Sequence, residues 1–304
     1  LTRLSTLTLK DNNIKLVEPD AFVDLEKIKE IDMSNQGIAN LNAHTFRGLI
    51  GLTTLSLYIN GLRVLKSRTF AGLTKLTSLQ LALNKIEQVE SDAFADLTSV
   101  LKLNMQGNKL NSTQPLMFSH LGSLVELGML KNNIISIEPK TFLGLERTLN
   151  ILVLSGNRLQ FIKQTYFVGL LRLTNLYASS NQISHIEPGS FRQMAMLTTL
   201  DLSNHCLFRL DKSLFSDLIK LKYLNLESNM IKDLSLDTFS TLASLETLRL
   251  SENRVERLRP GLFKKLGRLK ELQVGANLLR HLDSDTFVGL SSQFTVLNLS
   301  SNQI

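Results

Sequence analysis

One unit of 24 residues, written over and over, constrains this chain of 304 residues more than any other feature. Aligning LTTLSLYINGLRVLKSRTFAGL (52–73) with LTSLQLALNKIEQVESDAFADL (76–97) gives the template L-x-x-L-x-x-L-x-L-x-x-N-x-L-x-x-L-x-x-x-x-F-x-x. Twelve complete copies run from Leu1 to Gly289, and a thirteenth stops at Ile304. Two copies, one of 25 residues and the other the unfinished last one, carry an extra residue early in the unit, in LERTLNILVL (145–154) and LSSQFTVLNL (290–299). Self-similarity at such a period is the signature of a solenoid, in which each unit buries its apolar face only by stacking on its neighbours. No linker or low-complexity tract interrupts the series, so residues 1–304 read as one repeat domain.

Three columns show how strict the pattern is. Phenylalanine occupies position 22 of every complete copy, from Phe22, Phe46 and Phe70 through to Phe287, and three of the 15 phenylalanines fall elsewhere. All five prolines (Pro19, Pro115, Pro139, Pro188 and Pro260) stand at position 19, where a fixed φ and a missing N–H suit a segment that forms no ladder. Asparagine holds position 12 at Asn12, Asn60, Asn84, Asn108, Asn132, Asn157, Asn181, Asn229, Asn253, Asn277 and Asn302.

Each part of the unit has a physical reading. The L-x-L segment alternates with period two, which makes a short strand buried on one face. Three residues cannot stand alone as a strand, so each pairs with its equivalent in the next copy and builds a parallel sheet with rungs about 4.8 Å apart. The turn after each strand buries peptide groups, and an amide side chain, donor and acceptor at once, satisfies them in succession. The returning segment is wider because of its phenylalanine, so the sheet should line the concave side of a curved α/β repeat solenoid with a mostly irregular convex side. Burying each phenylalanine contributes roughly 2–3 kcal/mol before entropy.

His205 and Cys206, adjacent in LSNHCLFRL (202–210), raise the question of a metal ligand pair or a cysteine nucleophile with its base. Alignment answers it: His205 fills the asparagine position with Asn204 one residue early, just as Gln36 fills it after Asn35. The shared displacement makes His205 a structural residue, and the asparagines on neighbouring turns are poor transition-metal ligands. Cys206, the only cysteine, is read as an ordinary half-buried thiol, with a partner cysteine elsewhere as the alternative; one thiol excludes an internal disulfide framework and a multi-thiolate zinc site.

No run reaches the roughly 18–20 apolar residues of a membrane-spanning helix, and residues 1–10 have no signal-peptide pattern. The chain starts without methionine and stops inside a repeat, so it reads as a piece of a longer protein, with membrane attachment supplied only by segments outside it. Histidines 44, 120, 185, 205 and 281 lie in separate copies, with no phosphate loop, G-x-S-x-G or H-E-x-x-H; enzyme activity, a metal site and any cofactor are not expected.

The unit, with asparagine after L-x-L and phenylalanine near its end, resembles the "typical" leucine-rich repeat along the whole chain. This class is characteristic of extracellular animal proteins such as Toll and Toll-like receptors, Slit and chaoptin-like adhesion proteins, and the two copies with the extra residue look most like chaoptin arrays. The resemblance implies a secreted or cell-surface module that binds a protein ligand or co-receptor, in a receptor ectodomain of ligand-recognition, signalling or innate-immune type. Homophilic or matrix adhesion, and an intracellular scaffold, are the alternatives. The chain lacks the cysteine-rich caps of those families, which should then lie outside it.

A partner is expected on the outward strand positions of the concave sheet. There Tyr58, Ile59, Ala82, Leu83, Leu101, Val125, Leu130, Ile151, Val153 and Tyr177 form an apolar run, unusual for a solvated surface; the alternative is that some of them turn inward. Lys222, Tyr223, Glu227, Glu246, Arg249, Glu252, Lys270 and Glu271 replace them further along. The net charge is +7, and 249–280 holds nine basic residues against Glu252, Glu256 and Glu271. Arg254, Arg257, Arg259, Lys264, Lys265, Arg268 and Arg280 in that stretch fall off the strands and suit either sulfated glycan or plain solvation. No basic–aromatic interleaving points to nucleic acid, which is not expected as a partner. Asn111 and Asn298 head glycosylation acceptor patterns, though chance supplies as many; Asn298 falls on the strand face and Asn111 beyond the turn.

Overall fold

A computed structural model describes residues 3–304. The chain divides into two compact units, Leu1–Val153 and Leu154–Ile304. In the first, the strands Thr6–Thr8, Glu30–Asp32, Thr54–Ser56, Ser78–Gln80, Lys102–Asn104, Glu126–Gly128 and Ile151–Val153 pair in parallel in chain order. The second pairs Asn175–Tyr177, Thr199–Asp201, Tyr223–Asn225, Thr247–Arg249, Glu271–Gln273 and Val296–Asn298 in the same way. Register follows the repeat: Leu55 opposes Leu79, and Leu127 opposes Leu152 in the copy with the extra residue. Each unit is thus a parallel-strand solenoid, with one repeat per turn.

Alternation within a rung decides which side chains build the core. The central residue is buried at Ile31, Leu55, Leu79, Leu103, Leu127 and Leu152, while its two strand neighbours face away. Opposite the sheet runs the aromatic column. Phe22, Phe46, Phe70, Phe94, Phe118 and Phe142 stack ring on ring, with centroids 5.9–6.4 Å apart. In the second unit Phe167, Phe191, Phe215 and Phe239 stack at 6.2–6.5 Å, and Phe263 stacks on the half-buried Phe287. Turns approach so closely on this side that a Cβ at Gly48 would overlap the backbone of Val23.

The amide column closes the turns. Asn108 Nδ2 donates to Leu81 O of the preceding turn and to Met105 O of its own, both at 2.9 Å, while Oδ1 accepts the N–H of Ile86 at 2.9 Å. Asn84, Asn253 and Asn277 repeat the arrangement. Gln36 performs it with a longer arm, donating to Leu9 O and Ser34 O and accepting from Ile14 N. Hydrogen bonds therefore tie each turn to the one before it at a point where water is excluded.

The return side departs from its expected irregularity in a single bridge, Ser112 to Ser136, and in two short pairings. Val64–Leu65 pairs with Gln88–Val89, and Phe161–Ile162 pairs with His185–Ile186, each as a short parallel sheet. β-Branched and aromatic residues at these positions favour extended backbone, and the packed turns bring equivalent segments side by side.

Replacing Asn108 with Ala strands the buried Ile86 N–H and takes one of two amide donors from each of the Leu81 and Met105 carbonyls, which keep Asn84 and Asn132. We expect a loss of about 3 kcal/mol, read as a lower midpoint in urea, against little change for Asn12→Ala, whose amide bonds only within an exposed turn.

Candidate binding surface

The outward strand positions, together with the residue that precedes each strand, form an open face on each unit's sheet. In the first unit this face carries Leu101 and Val125 just ahead of their strands and Ile151 and Val153 on the last strand. Leu101 is 43% exposed, and the other three are half-buried. Lys102 and Glu126, alongside them, form an ion pair at 3.2 Å.

Tyr58, Ile59, Leu83 and Leu130 lie elsewhere. They stand past the strand ends, in the turn that leads to the buried amide. Tyr58, Ile59 and Leu83 are exposed at 39, 39 and 43%, and Leu130 is half-buried. Polar or small strand residues (Ser56, Gln80, Asn104 and Gly128) separate this turn-borne group from the strand-borne one. The single run expected from the sequence is thus two surfaces. Ala82 belongs to neither: it is 3% exposed, a lone methyl between longer neighbours, and is corrected to a core position.

The second unit's open face is charged. Tyr177 is half-buried there, and its hydroxyl accepts from Asn175 Nδ2 at 3.2 Å. Glu246 takes Lys270 at 2.6 Å and Lys222 at 3.6 Å, and the bond to Lys270 holds its carboxyl below the usual range. Arg249 lies 5.6 Å from the centre of the Tyr223 ring and 3.6 Å from Glu271. Burial pushes the Tyr223 hydroxyl up. Beside it a cavity of about 400 Å³ is lined by Glu227, Glu252 and Glu271 against Arg249, with Ser251, Gly275 and Ser300 as its small walls. Sequence reasoning missed this cavity, although its signal is present: small residues recur at position 10 on turns whose neighbours are acidic.

Off the strands, Arg257 pairs with Asp283 at 3.1 Å and Arg259 with Asp233 at 2.7 Å. Arg254, Lys264, Lys265, Arg268 and Arg280 are exposed and make no ion pair among the described residues. Asn111 is exposed beyond its turn. Asn298 ends the strand Val296–Asn298, half-buried, and its Oδ1 accepts Ser300 N at 2.9 Å.

His205 sits in the amide column. It is 6% exposed, and Nδ1 accepts the N–H of Asn181 at 3.2 Å, so a neutral ring carries its proton on Nε2. Desolvation outweighs that bond and lowers its pKa. Cys206 is a half-buried free thiol. Among the described residues no group of three His, Cys, Asp or Glu is placed to hold a metal, and no helix is long and apolar enough to cross a membrane.

The Leucine rich repeat family pattern matches residues 2–110 and 147–304 in overlapping segments, and the chain belongs to that family. No curated protein sequence matches it. Among solved structures it is similar to a chain of the glycosylated Toll–Spätzle complex of Drosophila, with 26% identity and a TM-score of 0.89 over 99% of this chain and 42% of that one. A chain of the TLR13–ssRNA13 complex matches with 24% identity and a TM-score of 0.81 over 99% and 47%. A chain of the octameric Latrophilin 3, Unc5D and FLRT2 complex matches with 23% identity and a TM-score of 0.71 over 97% and 83%. The chain spans less than half the length of the first two. The fold is that of Toll-type leucine-rich-repeat ectodomains, and the neighbours hold protein partners in two cases and single-stranded RNA in one.

Burial keeps the His205 imidazole neutral in the fold, whereas the unfolded chain protonates it near 6.5. Its contribution to stability is complete above that pH and declines as pH falls below it. His205→Asn restores the usual amide. Melting temperatures at pH 7.5 and 5.5 should converge in the variant relative to the parent; an equal drop in both would remove this role.

Proposed function

We propose that this chain is the ligand-recognition segment of a cell-surface receptor of the Toll kind, located outside the cell, and that it binds a protein partner on the open face of its first unit. The observation that carries the reading is the cluster of Leu101 and Val125, just ahead of their strands, with Ile151 and Val153 on the last strand, in columns where the other turns of this unit carry Thr, Ser, Asn, Gln, Gly or charged residues. Solvent gives no reason to keep branched apolar side chains there, and a rigid sheet loses little entropy on binding. The similarity to chains solved with Spätzle, and with Latrophilin 3 and Unc5D, supports a protein as the ligand class. Adhesion between identical molecules is the second reading, in which the same face meets its own copy.

The triple variant Leu101→Glu, Val125→Glu, Ile151→Lys tests this. The chain is displayed as a multivalent probe on an array of extracellular protein domains. A partner bound by the parent should weaken at least tenfold in the variant while the melting temperature is kept; unchanged binding rejects the face. Self-association that the variant abolishes would favour adhesion.

The unpaired Arg254, Lys264, Lys265, Arg268 and Arg280 support a lesser role in holding sulfated glycan. Charge reversal of Lys264, Lys265 and Arg268 should then bring elution from heparin to clearly lower salt. If the parent itself elutes near physiological ionic strength, these residues are simply solvated.

A further inference from the structure

Position 11 of the repeat, immediately before the buried amide, adopts left-handed backbone in every described turn, with φ between 51° and 68°. This geometry suits Gly, Asn and Asp and is most adverse to β-branched side chains. Eleven turns carry Asp, Asn, Gly, Ser, Lys, Glu or Ala there. Two consecutive turns instead carry Ile59, at φ 52°, and Leu83, at φ 54°. Both side chains are exposed, so neither is placed there to fill the core. Strain and solvation act against them together, and the other turns show that the fold does not require them.

Their surroundings form a continuous shape. Leu83 lies across the next turn, where a Cβ at Gly107 would overlap its Cδ2 methyl. Tyr58 extends the ridge on the neighbouring position. Lys85, Lys109 and Lys131 stand beside it, exposed and without an ion pair among the described residues, unlike nearby Arg63 and Lys102, which pair with Glu87 and Glu126. Positions 10, 11 and 13 of the second to sixth turns hold no acidic residue at all. The ridge is therefore apolar at its crest and positive on its flank.

We propose that this turn-borne ridge is a docking site for an acidic polypeptide segment: an extended stretch of a protein partner that lays aliphatic or aromatic side chains on Ile59 and Leu83 and sets carboxylates against Lys85, Lys109 and Lys131. From Ile59 on the third turn to Lys131 on the sixth the site covers about 15 Å, the reach of roughly five residues of extended chain. The inference rests on the reading of this chain as a protein-binding module, but it concerns a surface separate from the sheet face.

The test uses a display library of random twelve-residue peptides selected on the whole chain. Selected peptides should carry net negative charge with apolar anchors, and their binding should weaken as salt rises. Affinity should fall at least tenfold in Lys85→Glu/Lys109→Glu/Lys131→Glu and in Ile59→Asn/Leu83→Asn. The second variant installs the residue that Asn35 and Asn204 already place at this position, so it should melt at or above the parent. The sheet-face variant should bind these peptides as the parent does. The proposal is overturned if selected peptides are neutral or basic, if no peptide is enriched, or if either ridge variant binds them unchanged. It is also overturned if phosphatidylserine vesicles bind through the ridge and acidic peptides do not. Loss of an array partner in the sheet-face variant alone, with the ridge silent, would leave the receptor reading standing without this site.

Discussion

A side chain that donates and accepts at one fixed point in a buried turn is the constraint from which everything else in this molecule follows. The strand must end and the chain must reverse, and reversal inside a packed stack removes peptide groups from water. Asn108 meets that demand on both sides, reaching Leu81 O in the turn before while taking the N–H of Ile86. Gln36 and His205 show that the requirement is chemical rather than a matter of residue identity, since a longer amide and an imidazole each fit. The imidazole fits less completely: its buried Nε2 finds no protein partner. A demand met by hydrogen bonds to a neighbouring turn also sets the register, and this is why the strands oppose one another at the repeat interval without a slip.

The same turn explains where chemistry can vary. Leucine, phenylalanine and amide positions are committed to burial, and position 11 is committed to left-handed backbone. What remains free are the outward strand positions, the turn side chains and the return loops. Each turn touches only its neighbours, so a change in one free column is not relayed through the core. The first unit spends that freedom on exposed apolar side chains, and the second on interleaved charge such as Lys222, Glu246 and Lys270. These surfaces differ in chemistry although the backbone beneath them is one repeating unit.

The architecture was legible because each core environment recurs a dozen times, so a single aligned column names its role. This is how His205, a plausible catalytic residue in isolation, could be read as part of a ladder. The surface was less legible for a corresponding reason: it has no period. Tyr58, Ile59 and Leu83 follow the strand by only a few residues, and alternation alone places them on the sheet, whereas the chain has already turned away from it. Ala82 looks exposed by position and is covered because its side chain is short. The pairing of Phe161–Ile162 with His185–Ile186 depends on how closely the return segments stack. The pairing of Arg257 and Arg259 with carboxylates about one turn away depends on side-chain reach. Neither property is periodic in sequence.

Exposed apolar area alone is weak evidence for a partner, because every soluble protein has some. Conformational cost sharpens it. Leu171 and Ile219 are exposed on return segments where nothing in the backbone opposes them, and drift accounts for such residues. Ile59 is different, since its backbone conformation selects against a branched Cβ while water selects against its side chain. Two independent penalties at one position call for a compensating interaction, and the hydrogen bonds of the turn, which involve only its backbone, do not supply one through the side chain. Leu83 on the next turn, also left-handed but with an unbranched Cβ, meets the same penalty from water, and Gly107 beyond it leaves the space that Leu83 occupies. A repeat protein makes this argument possible because its other turns are internal controls. They show what the position holds when only folding is at stake.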